Sequence, residues 1–229
     1  MIHVTVQRSD PNARSSFEVE RTEPMMVLDA LLAIQRSTEP ALGFRYSCRV
    51  GMCGTCTVRL DGLPVLACQT PLDHSRRAIR LDPLGGLPVV RDLIVDMTPF
   101  FDEWARVKPY LVPASTSDEP ASIPPNAPER KIIDPALDCI MCGACYAGCG
   151  IASVKRDFLG PAALNRAMVL IADRRDAERE SRLRAVTGAD GVWRCRYIHA
   201  CTVVCPKQLD PAGAIRRLRR WRLEGIHDR

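Results

Sequence analysis

Apolar and polar residues alternate in short runs near the start of the chain. The alternation covers residues 2–6 and returns at 17–19, with a polar stretch between, which predicts two strands joined by a turn. After Pro24, apolar residues at i, i+4 spacing predict a helix that runs to about Arg36. Further strands are predicted at Thr57–Leu60, near Val65 and at Ala78–Leu81. Strands on both sides of a single helix indicate an α+β arrangement.

Helical spacing dominates the rest of the chain. Residues 92–107 predict a helix whose first half is interrupted or ended by Pro99. Residues 162–173 predict an apolar helix, and residues 211–223 predict a final basic helix. The arginines of that last helix are interpreted either as a solvated face or as a contact with lipid headgroups or an acidic partner.

A helix over residues 174–185 is predicted to face solvent. Glu178 and Arg182, and likewise Glu180 and Arg184, stand at i, i+4 spacing. Opposite charges at this spacing are neighbours on a helix surface and stabilise it modestly.

A proline-rich stretch divides the chain. Five prolines, mixed with Ser, Thr, Asp and Asn, lie between Pro113 and Pro128. This composition is typical of a connector between domains. We therefore predict three parts, at residues 1–105, 106–132 and 133–229.

Charge and cysteine usage narrow the class of protein. The net charge of +5 is mild and diffuse, which fits an acidic partner or a membrane surface but does not support nucleic-acid binding. No run approaches the roughly 20 apolar residues that span a bilayer.

The cysteine count of 11 is odd, and the first residues predict a strand rather than a signal peptide. We therefore expect the reducing cytoplasm of a bacterium or archaeon, without disulfides.

The first cysteine group has the spacing C-x4-C-x2-C, formed by Cys48, Cys53 and Cys56, and Cys68 follows. This is the spacing of plant-type 2Fe–2S ferredoxins. Two glycines within the loop allow the backbone to fold tightly and to aim N–H groups at the cluster sulfurs. A structural zinc site is the alternative, because its C-x2-C pairs look similar. The four-residue spacing, the glycines and the preceding elements favour 2Fe–2S.

The second group, Cys139, Cys142, Cys145 and Cys149, has the spacing C-x2-C-x2-C-x3-C. Bacterial-type ferredoxins hold cubane clusters with this run, and in two-cluster members its fourth cysteine ligates the other cluster. The run therefore requires a partner run elsewhere in the chain.

That partner run is Cys195, Cys201 and Cys205, the last followed by Pro206, with Ile198 at the second ligand position. A cubane that lacks one thiolate corner can lose that iron, which predicts a 3Fe–4S cluster. The 4Fe–4S cluster is assigned Cys139, Cys142, Cys145 and Cys205, and the 3Fe–4S cluster is assigned Cys149, Cys195 and Cys201. With the 2Fe–2S set, these assignments use every cysteine.

No catalytic acid–base set stands out, and no phosphate-binding glycine motif is present. The predicted fold class is α+β, with an N-terminal β-grasp plant-type ferredoxin domain followed by an all-α bacterial-ferredoxin-like helical domain. The elements and the cysteine runs together carry this prediction.

The order 2Fe–2S, 4Fe–4S and 3Fe–4S resembles the iron–sulfur subunit of succinate dehydrogenase and fumarate reductase, the succinate:quinone oxidoreductase family. The segments similar to that family are Tyr46–Cys56, Arg91–Phe101, Lys108–Leu111, Leu159–Leu164 and Cys205–Pro211. The resemblance covers nearly the whole chain, and only the proline-rich stretch from Pro113 to Pro128 lies outside it.

This resemblance implies an electron-transfer subunit between the FAD of a separate flavoprotein subunit and quinone, either menaquinone or ubiquinone, at a transmembrane anchor. The flavin active site would lie on the partner chain. We expect a peripheral protein on the cytoplasmic face of a prokaryotic inner membrane. The alternatives are a related fumarate reductase that serves a soluble or thiol-linked acceptor, and a zinc-stabilised interaction module.

Departures from the family concentrate at positions that line the quinone pocket in its members. Gly150 stands where proline is usual, Val154 where tryptophan is frequent, and Arg196 where histidine is frequent, whereas Ile198 matches. These departures fit either an acceptor that is not bound here as in the better-known enzymes or an altered, menaquinone-type pocket. We hypothesise that Arg196 contributes to it, because a guanidinium can hydrogen-bond a quinone oxygen or a haem propionate.

Overall fold

The computed structural model describes residues 1–115 and 121–226, and the chain divides into two units. The first unit consists of Met1–Met97 and Ile140–Gly148, and the second of Thr98–Cys139 and Cys149–Arg229. Part of the predicted connector, residues 116–120, lies outside the described residues. The domain boundaries given above stay predictions.

The first unit is built on a five-stranded sheet with the order β2-β1-β5-β3-β4. Its strands are β1 (Ile2–Gln7), β2 (Arg14–Val19), β3 (Thr57–Leu60), β4 (Leu63–Leu66) and β5 (Ala78–Asp82). Strands β1 and β5 pair in parallel, and the other pairs are antiparallel. Helix α1 (Val27–Ser37) shares one hydrophobic core with the sheet. This arrangement confirms the predicted β-grasp domain.

The alternating residues of β1 explain why this strand is central. Ile2, Val4 and Val6 are fully buried, and Val4 lies opposite Phe17 of β2. Because successive side chains of a strand point to opposite faces, one face of β1 supplies the core. The strand and helix predictions for residues 2–82 are confirmed in type and approximate position.

The predicted helix over residues 92–107 is wrong in its first half. Strands β6 (Val89–Arg91) and β7 (Ile94–Val95) form a hairpin there, and helix α2 begins at Thr98 and ends at Arg106. The turn residue Asp92 has a φ of 48°, which a right-handed helix cannot accommodate.

The Asp92 carboxylate explains why the chain turns at this point. It is buried and accepts hydrogen bonds from the Gly43 N–H at 2.8 Å and from the Ser9 N–H at 3.1 Å, and it pairs with Arg8. These contacts join segments far apart in the sequence, so the helical spacing of the local apolar residues does not decide the structure.

The second unit is helical in its described residues. Its helices are α2, α3 (Arg130–Leu137), α5 (Gly160–Ala172), α6 (Arg179–Val186), α7 (Ala200–Val203) and α8 (Pro211–Glu224), while the short α4 (Ala144–Ala147) belongs to the first unit. Every residue of α5 is buried except Arg166, as expected for an apolar helix at the centre of a bundle. Helices α2, α3, α6 and α8 contact α5, which confirms an all-α second part.

The predicted solvent-facing helix over 174–185 is wrong in its position and in one of its pairs. Helix α6 begins only at Arg179, and Arg182 is buried. Its guanidinium pairs with buried Asp176 at 3.0 Å and donates to the carbonyl oxygens of Val107 and Tyr110 at 2.9 and 2.7 Å. Satisfying those carbonyls draws Arg182 inward, away from Glu178.

In the part of the chain that the structure describes, no helix combines the length and the apolar character needed to cross a membrane.

Candidate iron–sulfur centres

The first cysteine loop lies between α1 and β3 and turns through left-handed residues. Arg49, Gly51 and Gly54 have φ angles of 61°, 70° and 69°. Where left-handed residues interrupt an otherwise ordinary backbone, successive backbone N–H groups can converge into a concavity that binds anions. Many iron–sulfur sites have this arrangement. The N–H groups of residues 52 and 53 both donate to the Cys48 Sγ at 3.3 Å. The loop therefore suits a thiolate bound to a metal cluster.

The structure brings all four cysteines of the first set together. Burial would raise the pKa of Cys53, but hydrogen bonds from Thr55 and Cys48 lower it to about 6. Burial, together with the neighbouring thiols of Cys68 and Cys53, raises the pKa of Cys56 to about 12. These thiols therefore influence one another's charge, as sulfurs around one centre do. A set of four thiols backed by N–H donors fits a 2Fe–2S cluster.

Gly54 allows the second cysteine run to approach the first loop. A Cβ added at Gly54 would lie 2.7 Å from the Cβ of Cys142 and 2.9 Å from the carbonyl oxygen of Ile140. Real Cβ atoms essentially never come under 3.0 Å, and the φ of 69° is also unfavourable for other residues. Ile140 and Cys142 pack against the core of the first unit. Sequence reasoning missed this contact because no local pattern signals it.

The three cysteines assigned to the 3Fe–4S cluster come together in the second unit. Burial, followed by the neighbouring thiols of Cys149 and Cys195, raises the pKa of Cys201 to about 11. Tyr197 and His199 have left-handed φ angles of 54° and 62°, and the Tyr197 N–H donates to the Cys195 Sγ at 3.4 Å. The last cysteine loop thus repeats two features of the first: left-handed turns and an N–H aimed at a thiol.

The four cysteines assigned to the 4Fe–4S cluster are distributed over both units. Cys142 and Cys145 belong to the first unit, and Cys139 and Cys205 belong to the second. Cys205 accepts a hydrogen bond on its Sγ from the Leu209 N–H at 3.4 Å. Their assignment to one cluster therefore rests on the order of the cysteines in the sequence.

Arg219 of α8 fixes the backbone around Cys195. Its Nη2 donates to the carbonyl oxygens of Val192 and Cys195 at 2.6 and 2.8 Å. The guanidinium also lies over the rings of Trp193 and Tyr197, at 5.1 and 4.6 Å from their centroids. The interpretation of the α8 arginines as a solvated or partner-facing surface is therefore wrong for Arg219, and the sequence carries no signal for these contacts.

The predicted quinone-pocket positions lie at the surface of the second unit. Val154 and Ile198 are 75% and 73% exposed, and Gly150 and Arg196 are exposed as well. No described heavy atom outside its chain neighbours would lie within 4 Å of a Cβ added at Gly150. All four positions are within five residues of Cys149 or Cys195 in the sequence.

Two family models match the chain. Residues 3–102 match a 2Fe–2S iron–sulfur cluster binding domain, and residues 135–209 match a 4Fe–4S dicluster domain. The predicted 2Fe–2S and 4Fe–4S domains are thereby confirmed, and the match disfavours the zinc interpretation.

Similar curated proteins extend over most of the chain. The fumarate reductase iron–sulfur subunit of Mycobacterium tuberculosis is 37% identical over 94% of this chain and 90% of its own length. The succinate dehydrogenase iron–sulfur subunit of Coxiella burnetii is 38% identical over 88% of this chain and 86% of its own length. The corresponding Haemophilus influenzae fumarate reductase subunit is 35% identical over 88% of this chain and 83% of its own length.

A solved structure has the same fold. A chain of the Mycobacterium smegmatis Sdh1 complex in the apo form aligns over 99% of this chain and 98% of its own length, with a TM-score of 0.85 and 23% identity. At this identity the likeness shows the fold, with a sheet-containing N-terminal part and a helical C-terminal part, in agreement with the predicted class.

Proposed function

Because the chain belongs to the family of iron–sulfur subunits of succinate dehydrogenase and fumarate reductase, we propose that it carries electrons between the FAD of a flavoprotein subunit and membrane quinone. The observation that carries the proposal is the set of three cysteine groups in the order 2Fe–2S, 4Fe–4S, 3Fe–4S. The clusters, when bound, each take up and release one electron at a time. The chain itself holds them in sequence and sets their environment.

The cluster ligands are proposed as assigned from the sequence. The 2Fe–2S cluster takes Cys48, Cys53, Cys56 and Cys68, the 4Fe–4S cluster takes Cys139, Cys142, Cys145 and Cys205, and the 3Fe–4S cluster takes Cys149, Cys195 and Cys201. Neighbouring thiols alter one another's pKa within the 2Fe–2S set and within the 3Fe–4S set, which supports these two assignments. Ile198 supports the vacancy, since a hydrocarbon side chain cannot ligate iron.

Backbone N–H groups are proposed to tune the clusters. The N–H donors to Cys48, Cys195 and Cys205 stabilise negative charge on those sulfurs. Hydrogen bonds to cluster sulfurs raise the reduction potential, because reduction adds negative charge. The chain therefore contributes to the potential of each cluster through its loops.

The quinone end is assigned to the loops that carry the third set. Val154, Ile198 and Val203 are 75%, 73% and 82% exposed, in the same segments as those cysteines. Contiguous exposed apolar patches mark surfaces that a partner covers, and we propose that these residues form such a patch. A transmembrane anchor with its quinone fits this surface, and Arg196 can donate hydrogen bonds to a quinone oxygen or a haem propionate. The complex would lie on the cytoplasmic face of a prokaryotic inner membrane.

Purification of the full chain from its native membranes tests the proposal. We expect a brown protein with about nine irons per chain, set by the three clusters, together with a flavoprotein and membrane subunits. EPR should show a 3Fe–4S signal in the oxidised protein and a 2Fe–2S signal after reduction. A colourless protein that carries zinc, or a complex without membrane subunits that reduces only soluble acceptors, would refute the proposal.

The role of Arg196 needs a separate experiment. We expect Arg196→Ala to lower quinone-coupled turnover and to change inhibitor sensitivity, while succinate oxidation with a soluble dye is retained. Exposed Arg184 of α6 provides the control variant Arg184→Ala. Unchanged turnover and inhibitor sensitivity in Arg196→Ala would show that this side chain has no part in the quinone site.

A further inference from the structure

The second unit contains a basic cleft of roughly 560 Å³ that lies between α3, α5 and α8. Lys131 of α3 and Arg216, Arg217 and Arg220 of α8 contribute its four cationic side chains. No cysteine lines the cleft, and the exposed positions assigned to the quinone are absent from it. It is therefore separate from the cysteine loops described above.

The positive charge of the basic cleft exceeds the negative charge in its lining. Within the described residues, no carboxylate lies within 4.0 Å of the charged groups of Lys131, Arg216, Arg217 or Arg220. Asp210 is the acidic residue in the lining, and its carboxylate offsets part of the charge of Arg216. Its carboxylate caps α8 by accepting the Gly213 N–H at 2.9 Å, and it also accepts the Thr202 hydroxyl at 2.8 Å.

The arginines of the cleft are close enough to repel one another. Burial lowers the pKa of Arg217, and the neighbouring charges of Arg220 and Arg216 lower it further. Arg217 also lies over the Trp221 ring, at 5.9 Å from its centroid, which restrains its guanidinium. Clustered like charges destabilise a fold unless something compensates them. A bound anion would remove this repulsion.

The chemistry of the walls indicates which anion fits. Arginine forks match the several oxygens of a phosphate group and bind them through paired, charge-assisted hydrogen bonds. Between the cations lie apolar residues, including buried Ile132, Ala136 and Met168. The volume is within the range of small-molecule sites and exceeds what a lone inorganic anion occupies. Phosphate carried on an organic group uses both the cations and the apolar wall.

We propose that the basic cleft binds a phosphate-bearing anion. The phosphate group contacts Arg217 and Arg220, with Lys131 and Arg216 at the rim, and the organic part lies on Ile132 and Met168. A phospholipid headgroup and a soluble phosphate ester share this chemistry. The proposal does not depend on the electron-transfer function, because it uses none of the assigned cluster ligands.

Binding measurements on the full chain with its clusters test the site. The probes are sn-glycerol 3-phosphate and inorganic phosphate in calorimetry, and phosphatidylglycerol and phosphatidylcholine vesicles in sedimentation. The cleft variant is Arg217→Gln/Arg220→Gln. The matched control is Arg184→Gln/Arg222→Gln, which removes the same charge from exposed positions outside the cleft.

We expect the cleft variant to lose at least about tenfold in affinity for a phosphate probe, about 1.4 kcal/mol, since it removes two charge-assisted contacts. The control should lose much less. Cleft-dependent binding of glycerol phosphate identifies a soluble ester, whereas cleft-dependent binding of phosphatidylglycerol vesicles alone identifies a headgroup. Equal losses in both variants, or no binding of any probe to the wild type, would overturn the proposal.

Iron content and visible absorption establish that each variant is folded. If the double variant loses its clusters, Lys131→Gln replaces it, because Lys131 lines the cleft and its side chain is exposed. Its affinity should then fall several-fold relative to Arg184→Gln, and equal affinities would count against the site.

Discussion

Arg219 donates a hydrogen bond of 2.8 Å to the backbone carbonyl of Cys195, a cysteine assigned to the 3Fe–4S cluster. The same guanidinium donates to the Val192 carbonyl and lies near the faces of two aromatic rings. A side chain of α8 thus fixes the segment on both sides of a proposed ligand. Arg219 acts through Cys195, so we regard it as a positioning residue.

The variant Arg219→Gln should loosen the loop around Cys195. It removes hydrogen bonds from a charged donor, each worth about 1.5–3 kcal/mol. We expect a weaker or broadened 3Fe–4S signal in EPR of the oxidised protein and a shifted midpoint potential for that signal. The 2Fe–2S signal should not change. The control is Arg222→Gln on the same helix, and identical 3Fe–4S spectra and potentials in both variants would show that Arg219 does not position the ligand.

Substitution of Gly54 should disturb the first cysteine loop through the contact with Cys142. The variant Gly54→Ala combines backbone strain of about 1–2 kcal/mol with a Cβ that would meet Cys142 at 2.7 Å. We expect loss of 2Fe–2S absorption and a lower melting temperature. Gly62→Ala is a matched control, because Gly62 also has a positive φ of 90° but has nothing within 4 Å of an added Cβ. If the two variants have equal effects, backbone strain alone explains them, and the contact with Cys142 plays no part.

A thiol at position 198 should complete the third cluster. We expect Ile198→Cys to replace the 3Fe–4S signal of the oxidised protein with a 4Fe–4S cluster and to raise the iron content by about one per chain. The control is Val203→Cys, which adds an exposed thiol two residues after Cys201, off the ligand spacing. A 3Fe–4S signal of full strength in Ile198→Cys would refute the proposed vacancy.

Removal of Arg182 should destabilise the second unit strongly. Asp176 would be left buried without its partner, and breaking a buried ion pair in this way costs about 3–5 kcal/mol. The carbonyl oxygens of Val107 and Tyr110 would also lose their donor. We expect Arg182→Met to lower the melting temperature measured by circular dichroism at constant iron content. Arg184→Gln on the same helix should change stability by less than about 0.5 kcal/mol, and similar melting of the two variants would contradict this role of the pair.

The local sequence pattern was sufficient to predict those elements whose buried face is set by the periodicity of their own apolar residues. The alternation of apolar residues in β1 predicts a strand, and the apolar run of α5 predicts a buried helix. In each case burial of the element's own apolar side chains determines its structure. The cysteine spacings likewise predict the cluster domains, since a loop that wraps a cluster needs its ligands at fixed separations.

Contacts between distant segments decided the rest. Asp92 turns the chain into a hairpin because its carboxylate binds residues near positions 9 and 43. Arg182 and Arg219 look like ordinary helix-surface arginines in the sequence, yet each binds carbonyl oxygens of a loop far away along the chain. A short-range pattern contains no information about such partners.

The parallel pairing of β1 with β5 has a consequence for synthesis of the protein. All four cysteines of the first set lie in the chain between these two strands, so they leave the ribosome before the sheet can close. Pairing of segments so distant in sequence is a slow event in folding. Until these strands pair, the sheet does not enclose the proposed 2Fe–2S ligands, so iron and sulfide can reach them, and oxidants can reach them as well.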